Sequence, residues 1–432
     1  EGDGIDWKGF RRLARKVKNT FFHVIFMKNS GANGKLKREL GLFSVTMAGV
    51  GIIVGAGIYA LIGLGAGETG NTIWLSFLIS AVVAAFSGLS YAELSSIFKD
   101  DAGEYDYIKA ALGNKLAVFI SILIIITCFV TAATVALGFA GYLSSLISIK
   151  YLYAGLGIIL LMTFLNYLGI KDSNKFNIIA TSVEFLGLLL IIFLGIPNFG
   201  KADLFEMPNG FFGVLKAGAL LFFAYTGFET IVKLSEEVKN PQKTIPKAIV
   251  LSVIITTILY LLVSMAAVSI LPADKIAGSK SPMADVAASV LGNPAFIILA
   301  FIALFSTSNT ILLTLLTTSR MIYGMSEKKS LPKIFLKVHK KRRTPYIAVL
   351  FTGLVSLGLA FFENIGFVAD LSTFLLFATF ALVNLSVIVL RYKIKGGRKF
   401  MMPLNIGRFP VLALLGVITS LVMLVFSVIN ML

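Results

Sequence analysis

Three glutamates lie inside long apolar runs of this sequence, where a charged side chain is costly. Glu93, Glu184 and Glu229 each fall within a run long enough to span a bilayer as a helix. A carboxylate at the bilayer centre costs about 2.5–3.5 kcal/mol on insertion scales, so each one needs a compensating role. Two kinds of chemistry suit such a group: reversible uptake of a proton, and coordination of a cation.

A cluster of glycines marks the first apolar run. Gly49, Gly51, Gly55 and Gly57 crowd the middle of residues 45–64, which carry no charge. Non-helical backbone at membrane depth survives only where it lines a cavity or is buried in protein, so this run predicts an interrupted helix with a ligand site near the midplane. Close helix packing is the alternative, because glycine also lets backbones approach one another.

A second interruption occurs in the sixth apolar run. Residues 221–230 (LFFAYTGFET) place Thr226, Gly227 and Glu229 where apolar residues would continue a spanning helix. Corresponding interruptions in two halves of a chain are typical of an inverted repeat with a binding site at its interface. We therefore predict a transporter built from two five-span repeats, with discontinuous spans 1 and 6.

The composition is that of a membrane protein. Of 432 residues, 57% are hydrophobic and 14% charged, and the mean hydropathy is +0.89. These values predict an all-α polytopic membrane protein with about 11 transmembrane helices. The predicted spans are residues 43–64, 72–97, 116–146, 151–169, 177–196, 212–232, 248–271, 294–319, 346–363, 366–390 and 409–431.

Basic residues are distributed unequally between the two sides of these spans. Only five Lys and Arg residues of 39 lie on one side, namely Lys150, Lys201, Lys216, Lys275 and Lys280, and the other 34 lie on the side of the N-terminus. This asymmetry predicts a cytoplasmic N-terminus in a multi-pass protein of the plasma membrane. It also accounts for the net charge of +17 without a nucleic-acid partner.

The predicted organisation has four parts. Residues 1–40 form a basic cytoplasmic segment in which 7–28 mix bases with apolar residues at helical spacing, as in an interfacial helix on an anionic inner leaflet. A solvated basic tail is the alternative. Residues 41–197 form the first repeat, 198–392 the second, and 393–432 a basic loop with a peripheral eleventh span.

Few residues offer other chemistry. The one cysteine, Cys128, excludes an internal disulfide, and His23 and His339 belong to no cluster with metal-ligand spacing. A catalytic constellation and a phosphate-binding loop are also lacking. We predict neither metal nor cofactor, and no enzyme activity.

Five motifs in order resemble the amino acid-polyamine-organocation (APC) superfamily. The most specific is FFAYTGFETIVKLSEEVKNPQKTIPK at residues 222–247. The others are GIIVGAGIY at 51–59, SYAEL at 90–94 with GEYDY at 103–107, NYLG at 166–169 and SRMIY at 319–323. The resemblance implies a five-plus-five inverted-repeat fold and alternating access for amino acids or related amines.

The resemblance also implies which residues bind substrate. Unwound backbone at Ile53, Gly55, Ala56 and Gly57 would hold the substrate carboxylate, and Phe223, Ala224 and Thr226 would line its ammonium and side chain. The physics agrees, because the N-terminus of a half-helix attracts an anion and freed carbonyls suit an ammonium. Phe223 stands where the family often has an aromatic gate.

Glu184 is the candidate for the coupling ion. The resemblance implies that proton-coupled relatives often carry a lysine near this place in span 5, which substitutes for a sodium ion between spans 1 and 8. This sequence departs from that pattern, because Glu184 is acidic where the lysine is basic. A buried carboxyl that binds and releases a proton near physiological pH suits a proton carrier. Sodium coordination with help from Ser306, Thr307 or Ser308 is an alternative, as is a static role.

The other acids receive structural predictions. Glu93 lies near the cytoplasmic end of span 2 and is predicted to form a structural or inner-gate pair, whereas Glu229 is predicted to fasten the broken sixth helix. Glu363 and Asp370 fall at the outer ends of spans, where water would reach them.

The predicted function is proton-coupled symport of neutral amino acids. Cationic carriers of the family often have an acid in span 3, and residues 124–131 have none. The alternatives are an amino acid or amine antiporter, a cationic amino acid transporter and, less favoured, sodium coupling.

Overall fold

The computed structural model describes residues 38, 40–98, 103–169, 173–327, 329–339, 342, 344–394 and 396–432, without the side chains of 173–179 and 236. The predicted interfacial helix at residues 7–28 lies outside them. The described helices are α1 Leu42–Ile53, α2 Ala56–Thr69, α3 Ile73–Ile97, α4 Glu104–Leu112, α5 Asn114–Leu146, α6 Tyr151–Leu168, α7 Ser173–Gly195, α8 Gly210–Leu221, α9 Pro241–Ile270, α10 Ala273–Ala277, α11 Pro282–Leu291, α12 Asn293–Glu327, α13 Tyr346–Ala360, α14 Ile365–Lys393 and α15 Val411–Met431. A two-stranded antiparallel ribbon, β1 Asn405–Ile406 and β2 Phe409–Pro410, precedes α15.

The helices confirm the prediction of an all-α polytopic membrane protein. In the described part of the chain, nine stretches are helical, long and apolar enough to cross a membrane. The first of them, Ala56–Ile97, holds both α2 and α3, which meet at a 3₁₀ turn, Gly70–Thr72. The shorter apolar helices α1 and α13 lie where the first and ninth predicted spans fall. The two-repeat division stays a prediction.

The first predicted interruption separates α1 from α2. Helix α1 ends at Ile53, Gly55 has extended backbone (φ −129°, ψ −156°), and α2 begins at Ala56. Two residues thus leave the helical path in the middle of an apolar run. The break leaves the first amides of a 14-residue helix without acceptors in their own helix.

The second predicted interruption follows α8. The chain makes a 3₁₀ turn at Phe222–Tyr225, extends at Thr226, and continues as a second 3₁₀ helix, Phe228–Glu237. Gly227 joins them with φ +116°, and a Cβ there would lie 2.9 Å from Cγ2 of Ile52. This position therefore requires glycine for both its dihedral angle and its contact with α1.

The two breaks are bonded to each other through Tyr260 of α9. Its buried hydroxyl lies 3.1 Å from the carbonyl oxygen of Ile53 and 2.9 Å from that of Ala224. At their far ends the two broken segments also meet, because the amide of Leu40 donates to the carbonyl of Glu237 at 3.0 Å and the amide of Lys239 to that of Leu40 at 2.9 Å. The broken helices are therefore joined at the break and at the lead-in to α1.

Helix α15 packs along α14. Gly416 lies so close to the buried amide of Asn384 that a Cβ would approach it to 2.7 Å, and Asn430 donates to Asp370 at 2.9 Å. Asp370 is only 4% exposed, so the expectation that water would reach it was wrong. Its amide partner lies 60 residues further along the chain.

Candidate functional site

A cavity of about 1030 Å³ extends from the two breaks to one face of the bundle. We call this the basic face, because the described basic residues Lys233, Arg320 and Arg342 line the cavity there. The wall also reaches Thr344, just before α13. All seven residues predicted to bind substrate line it: Ile53, Gly55, Ala56, Gly57, Phe223, Ala224 and Thr226. The structure thus brings together residues about 170 positions apart.

The start of α2 has the backbone geometry that favours an anion. Its first amides point out of the helix end at Gly55, and the helix dipole places partial positive charge there. The amide of Ala56 lies 3.4 Å from Oγ1 of Thr310 in α12. Gly57 approaches the backbone of Ala224 so closely that a Cβ would lie 2.7 Å from its Cα. A carboxylate can therefore be held by backbone where the two breaks touch.

Small and apolar side chains from two helices complete the wall. Helix α5 contributes Ile124, Thr127, Cys128 and Thr131, and α14 contributes Leu376, Thr379 and Phe380. None of these seven side chains carries a full charge at neutral pH. This part of the cavity wall is apolar or weakly polar.

Glu184 of α7 lies at the cavity wall and is 1% exposed. Ser306 and Asn309 of α12 approach its carboxyl. Oε1 of Glu184 and Oγ of Ser306 nevertheless make no hydrogen bond of normal geometry with any residue that the structure describes. A buried carboxyl with an unsatisfied oxygen is a place for a proton or a small cation.

Of the three residues predicted in span 8, the structure places only Ser306 beside Glu184. Thr307 donates to the carbonyls of Ala303 and Leu304 in its own helix. Asn309 and Thr310 line the cavity, and sequence reasoning missed both. The signal was present, because positions 306, 309 and 310 follow the i, i+3, i+4 spacing of one helix face.

Glu93 is buried in a cluster of charges at the basic face. Arg391 of α14 donates to it twice, from Nε at 2.6 Å and from Nη2 at 2.5 Å. The amide of Met402 donates to Oε2 at 3.0 Å, and Nε of Arg398 lies 3.4 Å from Oε1. Glu93 thus connects α3 to the end of α14 and to the loop that follows it.

Glu229 fastens the second break. Its Oε2 accepts the amide of Gly227 at 2.8 Å, so the carboxylate caps the start of the 3₁₀ helix Phe228–Glu237. It also lines the cavity, together with Glu104 and Lys233. Among the residues described, no three His, Cys, Asp or Glu side chains are grouped to hold a metal ion.

The fold and the cavity define a polytopic membrane protein with a ligand site between two broken helices. A profile of the amino acid permease family matches residues 40–431. The chain therefore belongs to this family, within the APC superfamily, whose members are transporters.

Three relatives show the range of the family. The branched-chain amino acid permease BcaP of Bacillus subtilis is 33% identical over 83% of this chain and 82% of its own length. The methylthioribose transporter of the same organism is 31% identical over 83% of this chain and 82% of its own length. The vacuolar cationic amino acid transporter 4 of Arabidopsis thaliana is 29% identical over 88% of this chain and 67% of its own length.

Proposed function

We propose that this protein is a proton-coupled symporter of neutral amino acids that works by alternating access. The observation that carries the proposal is the pairing of an apolar or weakly polar wall beside the two breaks with Glu184, a buried carboxyl whose Oε1 has no hydrogen bond of normal geometry among the described residues. The breaks would bind the zwitterion through backbone, and Glu184 would carry the ion. The basic face would be cytoplasmic, in the plasma membrane.

The cavity wall supports a neutral substrate. Amides at the start of α2 meet the need of a carboxylate, and the side-chain wall of α5 and α14 is apolar or weakly polar around Ile124, Leu376 and Phe380. These three side chains offer a cationic group no counter-charge of their own. Branched aliphatic amino acids fit the wall, which agrees with the substrate named for the relative BcaP.

The surroundings of Glu184 support a proton over sodium. A sodium ion needs about six oxygen ligands of suitable geometry, by analogy with other hard cations. Beside Glu184 the structure places the hydroxyl of Ser306 and the amide of Asn309, with Thr310 bonded to the amide of Ala56 instead. A single carboxyl with two polar neighbours is sufficient for a proton.

Uptake into proteoliposomes tests the proposal. Purified protein is reconstituted and given labelled leucine under an inward proton gradient, an inward sodium gradient, or no gradient. The proton gradient should accelerate uptake, and Glu184→Gln should abolish this acceleration while saturable leucine exchange remains. Glu206→Gln, at an exposed carboxylate that accepts a hydrogen bond from Asn71, is the matched control.

Other results would favour a different function. Acceleration by sodium alone would show sodium coupling, uptake only with internal amino acid would show antiport, and preference for labelled arginine over leucine would show a cationic carrier. Proton-driven uptake that Glu184→Gln leaves unchanged would refute the role of Glu184.

A further inference from the structure

A chain of buried hydrogen bonds crosses the face of the bundle opposite to the basic face. The hydroxyl of Tyr142 in α5 donates to the carbonyl of Tyr59 in α2 at 3.0 Å. The same hydroxyl accepts the amide of Met283, in the first turn of α11, at 3.4 Å. Tyr59, Tyr142 and Met283 are each at most 1% exposed. Three elements of the opposite face thus meet at one phenol.

The chain continues to the helix that carries Glu184. The hydroxyl of Tyr59 donates to the backbone carbonyl of Glu184 at 2.7 Å. Gly187, in the next turn of α7, makes room for this hydroxyl, because a Cβ at that position would lie 2.7 Å from it. The two tyrosines therefore connect α11, through α5 and α2, to α7 beside the unsatisfied carboxyl.

A close backbone contact accompanies this chain. Gly141, next to Tyr142, packs against the carbonyl oxygen of Lys280, which precedes α11, and a Cβ at position 141 would collide with it. The segment that leads into α11 therefore rests directly on α5. A side chain here would lift this segment without removing any hydrogen bond.

We propose that Tyr142 and Tyr59 form a latch that holds the opposite face closed and ties this closure to α7 at Glu184. The amide of Met283 explains why the latch favours the closed state of this face over the open state. While α11 is seated, that amide is buried and needs the phenol, whereas water would satisfy it once α11 has lifted. Removal of the phenol therefore destabilises the closed face more than the open one. The link to ion binding at Glu184 and the position of α11 on the outer side of the membrane rest on the proposed function.

Thiol labelling tests the latch. In a Cys128→Ala background, Ala284→Cys places a reporter on a fully buried position of α11. A membrane-impermeant methanethiosulfonate reagent is added to intact expressing cells, and the labelling rate is measured. Loss of one buried hydrogen bond changes such an equilibrium about fivefold. Tyr59→Phe should therefore raise the rate about fivefold, and Tyr142→Phe, which removes two such bonds, should raise it at least as much.

Two further variants make the result decisive. Tyr107→Phe removes a buried hydroxyl that has no hydrogen-bond partner in the described part of the chain, and it should leave the rate unchanged. Gly141→Ala should raise the rate by lifting the lead-in to α11, and it serves if Tyr142→Phe fails to fold.

Rates within twofold of the parent in the folded latch variants would overturn the proposal, as would an equal rise in Tyr107→Phe. The labelling needs neither substrate nor an ion gradient. Failure of leucine uptake would therefore refute the proposed function without affecting the latch. An unchanged labelling rate would refute the latch without affecting the proposed function.

Discussion

Glu93 offers a quantitative test of how the basic face is held together. The change Glu93→Met keeps the volume of the side chain and removes its charge. Among the described residues, it leaves the buried Arg391 with only Asn405 as a side-chain partner, at 2.7 Å. It also removes the acceptor of the Met402 amide and the ion-pair partner of Arg398. Breaking one side of a buried ion pair costs about 3–5 kcal/mol, so we expect a loss of this size.

The melting temperature of the purified protein in detergent measures this loss. A chain of 432 residues has an unfolding entropy of roughly 0.9 kcal/mol/K, which converts the loss to a decrease of roughly 3–5 °C. The double variant Glu93→Met with Arg391→Met should recover much of the loss, because both charges are then gone. It should still fall short of the parent, because the amide of Met402 loses its acceptor and Arg398 loses its ion pair, although Arg398 still donates to the carbonyls of Ile394 and Leu390.

An exposed ion pair supplies the control. Glu68 pairs with Lys216 at 3.1 Å, and their side chains are 38% and 24% exposed. Glu68→Gln should shift melting by less than about 1 °C, because such pairs contribute at most about 1 kcal/mol. A Glu93→Met protein that melts with the parent, or a double variant whose loss equals the sum of the two single losses, would refute the structural role of Glu93.

Two further predictions concern the breaks. Gly227→Ala should lower stability by at least about 1–2 kcal/mol and reduce uptake, because an L-residue is strained at this left-handed position. Gly157→Ala, on open helix surface, should leave uptake unchanged and stability equal or slightly higher, because alanine favours a helix over glycine. Equal losses of melting temperature and uptake in the two variants would contradict this. Leu40 and Val238 are paired in a parallel bridge, so cysteines at both positions should form a disulfide on oxidation in a Cys128→Ala background. Uptake should persist in the oxidised protein. Loss of uptake that a reductant reverses would show that the two segments separate during transport.

The sequence predicted the elements that depend on local pattern. The length of the apolar runs identified the spans, and glycines among apolar residues located both breaks. Each of these features lies within about 20 consecutive residues. All seven residues predicted for the substrate site line the cavity. Their binding role stays a prediction.

What sequence reasoning missed depends on contacts between distant segments. Arg391 lies 298 residues from Glu93, so the ion pair of Glu93 had no local signal. In the sequence, Tyr142 and Tyr59 are ordinary aromatic residues in apolar runs. Only the fold places the hydroxyl of Tyr142 beside the backbone carbonyl of Tyr59. Asn309 and Thr310 could have been found from helix periodicity, because they share a face with Ser306.

The 3₁₀ helix after the second break has a geometric consequence. Residues Phe228–Glu237 rise about 2.0 Å each in this form and would rise about 1.5 Å each as an α-helix. Rewinding these ten residues would shorten the segment by roughly 5 Å, which is one α-helical turn. Since Val238 is bridged to Leu40, the same contraction would draw the start of α1 toward the middle of the bundle. A change of helix type alone would therefore move the end of the second broken segment and the start of α1 together.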